Sequence, residues 1–136
     1  MTDHRPGKAL RIIATAVALG LSGCDAVPPN SCACTQEFRT FAIVVVNAAG
    51  APVLGLTPTV TLVRTGEPIT PQDPPYAGHY AVFSDAELSL IQSSAEAVRF
   101  VVAGNQGSGA AELVFSTTSC RCHIQKVSGP DTLVLQ

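Results

Sequence analysis

Apolar residues follow two different patterns along this chain. Between Ile12 and Leu21 they form one nearly continuous run, interrupted only by the small residues Thr15 and Gly20. Beyond residue 37 they occur in short runs rich in Val, Thr, Ile and Phe, and Gly and Pro separate these runs. Short runs of this composition are typical of β-strands. The second pattern therefore predicts an all-β domain over residues 35–136.

The short runs predict about seven strands. Residues 38–46 are apolar on both faces, which indicates a central strand. Residues 97–103 alternate, with Val98, Phe100 and Val102 facing inward. The remaining predicted strands cover residues 59–63, 78–83, 110–117, 120–127 and 132–135. Short strands at this spacing favour a Greek-key β-sandwich.

The segments between the predicted strands contain turn and capping signals. Residues 67–76 are rich in proline, which lacks a backbone donor, and they predict a surface loop. The sequence Ser-Asp-Ala-Glu at 84–87 matches a capping box and predicts one short helix ending near Ser93. The glycines of residues 104–109 predict a hairpin connection.

Basic residues precede the apolar run near the start of the chain. Arg5, Lys8 and Arg11 followed by about ten apolar residues give the layout of a secretory signal peptide. In helical form the apolar run would extend roughly 15 Å, about half of the hydrocarbon core of a bilayer, so it is too short for a stable membrane span. We therefore expect residues 1–23 to be removed after export.

The motif Leu21-Ser22-Gly23-Cys24 follows the apolar run and resembles the lipobox of bacterial lipoproteins. The resemblance implies that Cys24 receives a diacylglyceryl group and becomes the new N-terminus, its amine often carrying a further acyl chain such as palmitate. Two or three acyl chains hold a protein on a membrane, because each buried methylene contributes about 0.8 kcal/mol. The alternative is cleavage of the Ala-x-Ala type, with Cys24 as a core cysteine without lipid.

Residues 24–34 are expected to form the lipidated N-terminus, a short tether with Pro28 and Pro29, and a first Cys-x-Cys pair. The implied location is the bacterial cell envelope, facing the periplasm or the cell surface. Asp25 is similar to the inner-membrane retention signal of enterobacterial lipoproteins. Since that rule does not hold in all bacteria, inner versus outer membrane is left open.

The charge composition of the chain limits the classes of partner that it can bind. The chain has 8 Lys and Arg against 10 Asp and Glu, a formal net charge of −2. Nucleic-acid binding needs a basic stripe, so we expect no nucleic-acid partner. Residues 24–136 have the usual size of one domain. We expect no cofactor.

Four further cysteines, Cys32, Cys34, Cys120 and Cys122, form one Cys-x-Cys near each end of the remaining chain. An even number of cysteines in an exported protein predicts disulfides. Residues two apart in an extended strand share a face, so two neighbouring strands could form two bridges. Antiparallel strands would pair Cys32 with Cys122 and Cys34 with Cys120. Parallel strands would pair Cys32 with Cys120 and Cys34 with Cys122.

The same residues allow an alternative function, the binding of copper or zinc. Thiolates and imidazole suit these metals, which makes a candidate set of Cys32, Cys34, Cys120, Cys122 and His123. If residues 120–124 are extended, however, His123 points away from both neighbouring cysteines. The spacing also lacks the Cys-x2-Cys of structural zinc modules. Disulfides are therefore the preferred hypothesis.

No catalytic motif is evident in the sequence. After removal of the leader only His79 and His123 remain, each in a predicted strand. Neither a Gly-x-Ser-x-Gly elbow nor a His-Glu-x-x-His motif occurs. We therefore expect a protein that is not an enzyme.

Two loop features have ordinary interpretations. Glu67, Asp73 and Asp85 would gather calcium only if their loops converged, and their spacing matches no EF-hand loop.

Tyr76 and Tyr80 could line a binding edge. We expect instead that Tyr80 lies in the core and that Tyr76 anchors its loop.

Several segments together carry a resemblance to one family. They are Val44-Val45-Val46 followed by Gly50-Ala51-Pro52-Val53, the strand through Thr61-Leu62-Val63, the stretch Gly78-His79-Tyr80-Ala81-Val82, and the ending from Cys122 to Pro130. Over residues 41–135 the chain resembles the carboxypeptidase regulatory-like, or transthyretin-like, β-sandwich. The proline-rich loop and the helix after Ser84 depart from that pattern and leave the strand order open.

The resemblance implies an accessory, structural or adhesion module, because most members of this family are not catalytic, and it supplies no active-site residues. Together with the lipobox it predicts a membrane-anchored envelope lipoprotein that acts as a non-enzymatic binding or structural module. The expected partners are the membrane, through the lipid, and an unidentified envelope protein or glycan.

Overall fold

Strands arranged in two sheets account for most of the regular structure. The computed structural model describes residues 31–72 and 76–136. Within them lie a 3₁₀ helix, Asp85–Leu90, and the strands β1 (Thr40–Val46), β2 (Thr59–Leu62), β3 (Pro68–Ile69), β4 (His79–Ser84), β5 (Glu96–Gly104), β6 (Gly107–Thr117), β7 (Ile124–Ser128) and β8 (Thr132–Val134). The smaller sheet has the order β4-β1-β8, and the larger has the order β3-β2-β5-β6-β7. The predicted all-β class is confirmed.

Strand β1 is the central strand of the smaller sheet, as its apolar residues on both faces predict. It pairs antiparallel with β4 and parallel with β8. Ile43 and Val45 are fully buried in the hydrophobic core. Val44, which alternates with them, lies on the opposite face and pairs with Thr132 of β8.

The hairpin of β5 and β6 forms the middle of the larger sheet. Its pairing ends at Gly104 opposite Gly107, which leaves Asn105 and Gln106 as a two-residue turn. The predicted hairpin at residues 104–109 is therefore confirmed. Strand β5 buries the three residues that alternation placed inward, Val98, Phe100 and Val102.

Aromatic side chains join the two sheets across the core. Phe83 of β4 stacks on Phe115 of β6 with ring centroids 4.9 Å apart, and Phe41 of β1 contacts Phe115 at 5.5 Å. Burial of one Phe side chain contributes about 1.5–3 kcal/mol to folding. These contacts are thus a principal link between the sheets.

The capping box at residues 84–87 is formed as predicted. The Ser84 side chain accepts a hydrogen bond from the backbone of Ala86, and the Glu87 carboxylate accepts from the Ser84 backbone N–H at 2.8 Å. The helix is of the 3₁₀ type and ends at Leu90, earlier than predicted. The cap fixes the position of Asp85, the first helical residue.

Two predicted segments differ from the structure. Residues 67–76 are not loop throughout, since β3 pairs antiparallel with β2. Proline is tolerated in β3 because this strand forms the edge of its sheet. The predicted strand at 120–127 begins only at Ile124, because residues 118–123 form a turn closed by hydrogen bonds from Arg121 N–H to Thr118 O and from Thr118 N–H to His123 O.

Candidate functional site

Two disulfides fasten the segment before β1 to the turn before β7. Cys32 pairs with Cys120 and Cys34 with Cys122, and the Cα atoms of each bridge lie 5.4 Å apart. The cysteine pairs are thus confirmed, with the connectivity of the parallel alternative. The expectation that they join neighbouring strands was wrong, since both Cys-x-Cys motifs lie in irregular segments.

The turn between Cys120 and Cys122 has an unusual backbone. Arg121 is the one non-glycine residue of the described ranges with a positive φ, 51°. This left-handed conformation costs roughly 1–2 kcal/mol in a residue that carries a Cβ. The Arg121 guanidinium donates to the carbonyl oxygen of Ile91 at 2.9 Å. This bond holds the turn against the end of the 3₁₀ helix.

His123 follows this turn and is bonded through both ring nitrogens. Nδ1 lies 2.7 Å from Asp85 Oδ2, and Nε2 lies 2.9 Å from Thr35 Oγ1. The side chains of His123 and Asp85 are each only 9% exposed. An ionised carboxylate only accepts hydrogen bonds, so Nδ1 carries a hydrogen and donates to Asp85. The contact between Nε2 and the Thr35 hydroxyl ties the other side of the ring to the segment before β1.

Asp85 is the centre of this network. Its Oδ1 accepts from the Ile124 N–H at 2.8 Å, and its Oδ2 also accepts from the Arg39 N–H at 3.0 Å. Burial by itself raises the pKa of the Asp85 carboxyl. The hydrogen bonds from Ile124, His123 and Arg39 outweigh burial, so the pKa lies below the ordinary value of 3.8. Asp85 is therefore ionised at neutral pH.

These contacts form one cluster, which we call the N-terminal junction. It joins the segment that leads into β1 to the 3₁₀ helix and to the start of β7. Its members are the bridges Cys32–Cys120 and Cys34–Cys122 and the side chains of Thr35, Asp85 and His123, with the backbone of Arg39.

Thr35, His123 and Asp85 have the spatial order of a nucleophile, a general base and an orienting carboxylate. Catalysis also requires oxyanion donors and a cavity that holds the substrate. The principal clefts of the described residues are lined by other side chains. Asp85 also accepts from two backbone amides, which ties it to the fold. The geometry therefore fits a structural bond between segments better than a hydrolytic site.

The metal alternative has no thiolate ligand in this structure. The sulfur atoms of Cys32, Cys34, Cys120 and Cys122 are all in disulfides. Within residues 31–72 and 76–136, no group of three or more His, Cys, Asp or Glu side chains is placed to hold a metal ion.

The calcium candidates do not form a site in the structure. Glu67 is exposed. Asp85 is occupied by Arg39, His123 and Ile124 within the N-terminal junction. Asp73 lies outside the described residues.

A second feature is a cleft of about 580 Å³ beside the start of β4. It lies between the connection from β1 to β2, the end of β3 and the turn into β4. We call it the Tyr76 cleft, and it is lined by residues 54–58, Val60, 69–71 and 76–81. Tyr76 is 67% exposed, so the expectation that it anchors its loop was wrong.

Tyr80 forms part of the floor of the Tyr76 cleft. It is buried as predicted, its hydroxyl donating to Val53 O at 2.7 Å and accepting from the Leu56 N–H at 3.2 Å. These two bonds fix the connection from β1 to β2. These bonds therefore fix the part of the cleft that Tyr80 and Leu56 line.

Sequence reasoning missed Thr35 and Asp85 as partners of His123. One signal could have found Thr35: the pairs Cys32–Cys120, Cys34–Cys122 and Thr35–His123 all have a sequence separation of 88. The two segments thus run in parallel at one constant offset. No comparable signal points to Asp85, whose capping-box position describes only its local structure.

Comparison with family models, curated proteins and solved structures finds no match to this chain. The resemblance to the carboxypeptidase regulatory-like family therefore stays a prediction. Within the described ranges, no helix is long and apolar enough to cross a membrane.

Proposed function

We propose that this protein is a bacterial envelope lipoprotein, anchored through lipid on Cys24, whose all-β domain is a non-enzymatic binding or structural module. The observation that carries the proposal is the N-terminal junction. Four of the 5 cysteines are used in two disulfides, and the remaining one is Cys24 of the lipobox-like motif.

The disulfides support export. Bridges form and persist in oxidising compartments such as the bacterial periplasm and the cell surface. A leader with the layout of a signal peptide and a domain with two bridges are therefore consistent with one another. Both fit a protein of the cell envelope.

The position of the bridges supports anchoring at the N-terminal end. Residues 25–31 separate Cys24 from Cys32 and extend at most roughly 25–30 Å. An anchor at Cys24 would thus hold the domain close to the bilayer. Tension on the anchor would pass directly into the bridges at Cys32 and Cys34, which join the segment to the turn before β7. Such an arrangement suits a module that stays folded while attached.

A binding or structural role is supported by the side chains of the N-terminal junction, which take part in bonds that hold the fold together. Hydrogen bonds join His123 to Thr35 and to Asp85, and Asp85 also accepts hydrogen bonds from the backbone. The four cysteines of this region are all in disulfides. The resemblance to the carboxypeptidase regulatory-like β-sandwich points in the same direction. The proposed partner is a protein or glycan of the envelope.

The test is metabolic labelling of the full chain in a bacterium with an alkyne fatty acid. Wild type and the variant Cys34→Ser with Cys122→Ser are expected to carry label, and Cys24→Ala is expected to carry none. The double serine variant is the matched control, since it also removes cysteines but keeps the lipobox. Label on Cys24→Ala, or an unlabelled wild type, would contradict lipid anchoring at Cys24.

A further inference from the structure

We infer that the Tyr76 cleft is a binding site for a neutral oligosaccharide. The inference deepens the proposed binding role and rests on it. Its first support is the charge of the cleft: the described residues that line it include no Asp, Glu, Lys or Arg. These residues provide no counter-charge for an ionic ligand, which favours a neutral ligand. The volume, about 580 Å³, lies in the range of small-ligand sites.

The aromatic rings of the cleft carry the second support. Tyr76 and His79 are both exposed, their ring centroids are 5.7 Å apart and their planes make an angle of 61°. His79 Nδ1 lies 3.3 Å from Ala77 O, which holds the imidazole in place. The face of an aromatic ring is partially negative and attracts the partially positive C–H groups of a sugar. An exposed, laterally supported Tyr ring is therefore a surface on which a sugar ring can stack.

Polar groups around the rings match sugar hydroxyls. Thr57 and Thr70 lie in the lining with exposed side chains. A Thr hydroxyl donates and accepts, as each sugar hydroxyl does, so pairs can form in either direction. Orientation of a neutral ligand by a few polar groups above an apolar floor is the usual design of such sites. Val60 and Ile69 contribute to that floor.

An extended peptide is the competing occupant, because β4 is an edge strand and edge strands accept added strands. The backbone around the cleft disfavours it. The His79 N–H already donates to Tyr76 O at 3.2 Å, and Ala81 is only 4% exposed. Elsewhere in the lining, Pro58 and Pro71 have no N–H to donate. A peptide would therefore lack several bonds of a regular ladder, whereas a sugar does not require one.

The test is a titration of the full lipidated protein, in micelles of a detergent without a sugar headgroup, followed by NMR and calorimetry. The probes are cellotetraose, maltotetraose and chitotetraose, with tetragalacturonate as the charged counterpart and a blocked Thr-Val-Thr-Val-Thr peptide as the competing occupant. We expect at least one neutral tetrasaccharide to bind and to shift the resonances of Tyr76 and His79. We expect no binding of tetragalacturonate or of the peptide.

Variants locate the binding. Tyr76→Ala is expected to weaken binding at least about tenfold, because the ring face is lost. Phe38→Ala is the matched control, since Phe38 is 53% exposed and lies outside the cleft. Binding of none of the three neutral sugars, preference for the peptide, or equal losses in both variants would overturn the inference. Those outcomes leave the lipid labelling of Cys24 unaffected, so failure of this site is distinguishable from failure of the proposed function.

Discussion

Asp85 and His123 lie 38 residues apart in the sequence, and Asp85 Oδ2 lies 2.7 Å from His123 Nδ1. The contact joins the first residue of the 3₁₀ helix to the residue before β7. Because Asp85 also binds the backbone of Arg39 and Ile124, one carboxylate connects three segments of the fold. The N-terminal junction therefore depends on this side chain as well as on the disulfides.

Replacement of Asp85 by Asn is expected to destabilise the protein. The amide of Asn places a donor where the carboxylate has only acceptors, so at least one of the N–H groups of Arg39, His123 or Ile124 loses its partner. The expected loss in the free energy of unfolding is about 2–3 kcal/mol, measured by denaturant unfolding under oxidising conditions. Asp131→Asn is the control, since Asp131 is 87% exposed and pairs only with Lys126 in the described structure. Equal losses in the two variants would show that the Asp85 network does not stabilise the fold.

The contribution of Asp85 is expected to depend on pH. Its pKa is lower in the folded protein than the ordinary value of 3.8. A group with a lowered pKa stabilises the fold fully above its unfolded pKa and loses that contribution as the pH falls through its folded pKa. The difference in unfolding free energy between wild type and Asp85→Asn should therefore be largest at pH 5 and shrink by pH 2.5. A difference that stays constant over this range contradicts a role for the ionised carboxylate.

The two disulfides are expected to stabilise the fold in an overlapping way. Each closes a loop with a sequence separation of 88, which is worth about 4–5 kcal/mol in the chain-entropy model. Once one bridge is present, the other closes only a small additional ring. Replacing either pair of cysteines by Ser should thus lower the melting temperature less than replacing all four. If the losses of the two single-pair variants add up to the loss of the variant that lacks all four cysteines, the bridges do not share one loop closure.

Gly129 is a position where the fold does not accept a side chain. Its φ is +114°, and an added Cβ would lie 2.7 Å from Leu113 Cγ and 3.0 Å from Glu112 O. Gly129→Ala should therefore cost about 3 kcal/mol or more, through backbone strain and overpacking against β6. Gly66→Ala is the control, because Gly66 has φ +71° but open space around its Cα. A Gly129 variant as stable as the Gly66 variant would contradict the packing of the β7–β8 turn on β6.

Local patterns were sufficient for much of the fold. Val98, Phe100 and Val102 could be placed inward because alternation reflects the pleat of a single strand. The capping box at 84–87 was equally readable, since its bonds join residues three apart. The two-residue strand β3 was missed for two reasons. Pro68 lacks a backbone N–H and therefore disfavours a strand, and the pairing of β3 with β2 depends on tertiary structure that local sequence patterns do not contain.

The N-terminal junction could be predicted only in part. The cysteine count predicted disulfides, but the choice between two connectivities depended on the path of residues 120–123. Along that path Arg121 has a left-handed backbone conformation. This conformation is uncommon in residues other than glycine, and no sequence pattern at Arg121 predicts it. The position of Asp85 against His123 follows from packing the helix beside β7. Spacing along the chain does not contain that information.

The most direct test of the account is the intact mass of the mature protein purified from bacterial membranes, with and without reduction and alkylation. We predict a chain that begins at Cys24 and carries a lipid-sized adduct, with four alkylatable thiols that become reactive only after reduction. A chain without lipid, or thiols that react with the alkylating reagent before reduction, would contradict a disulfide-bridged lipoprotein.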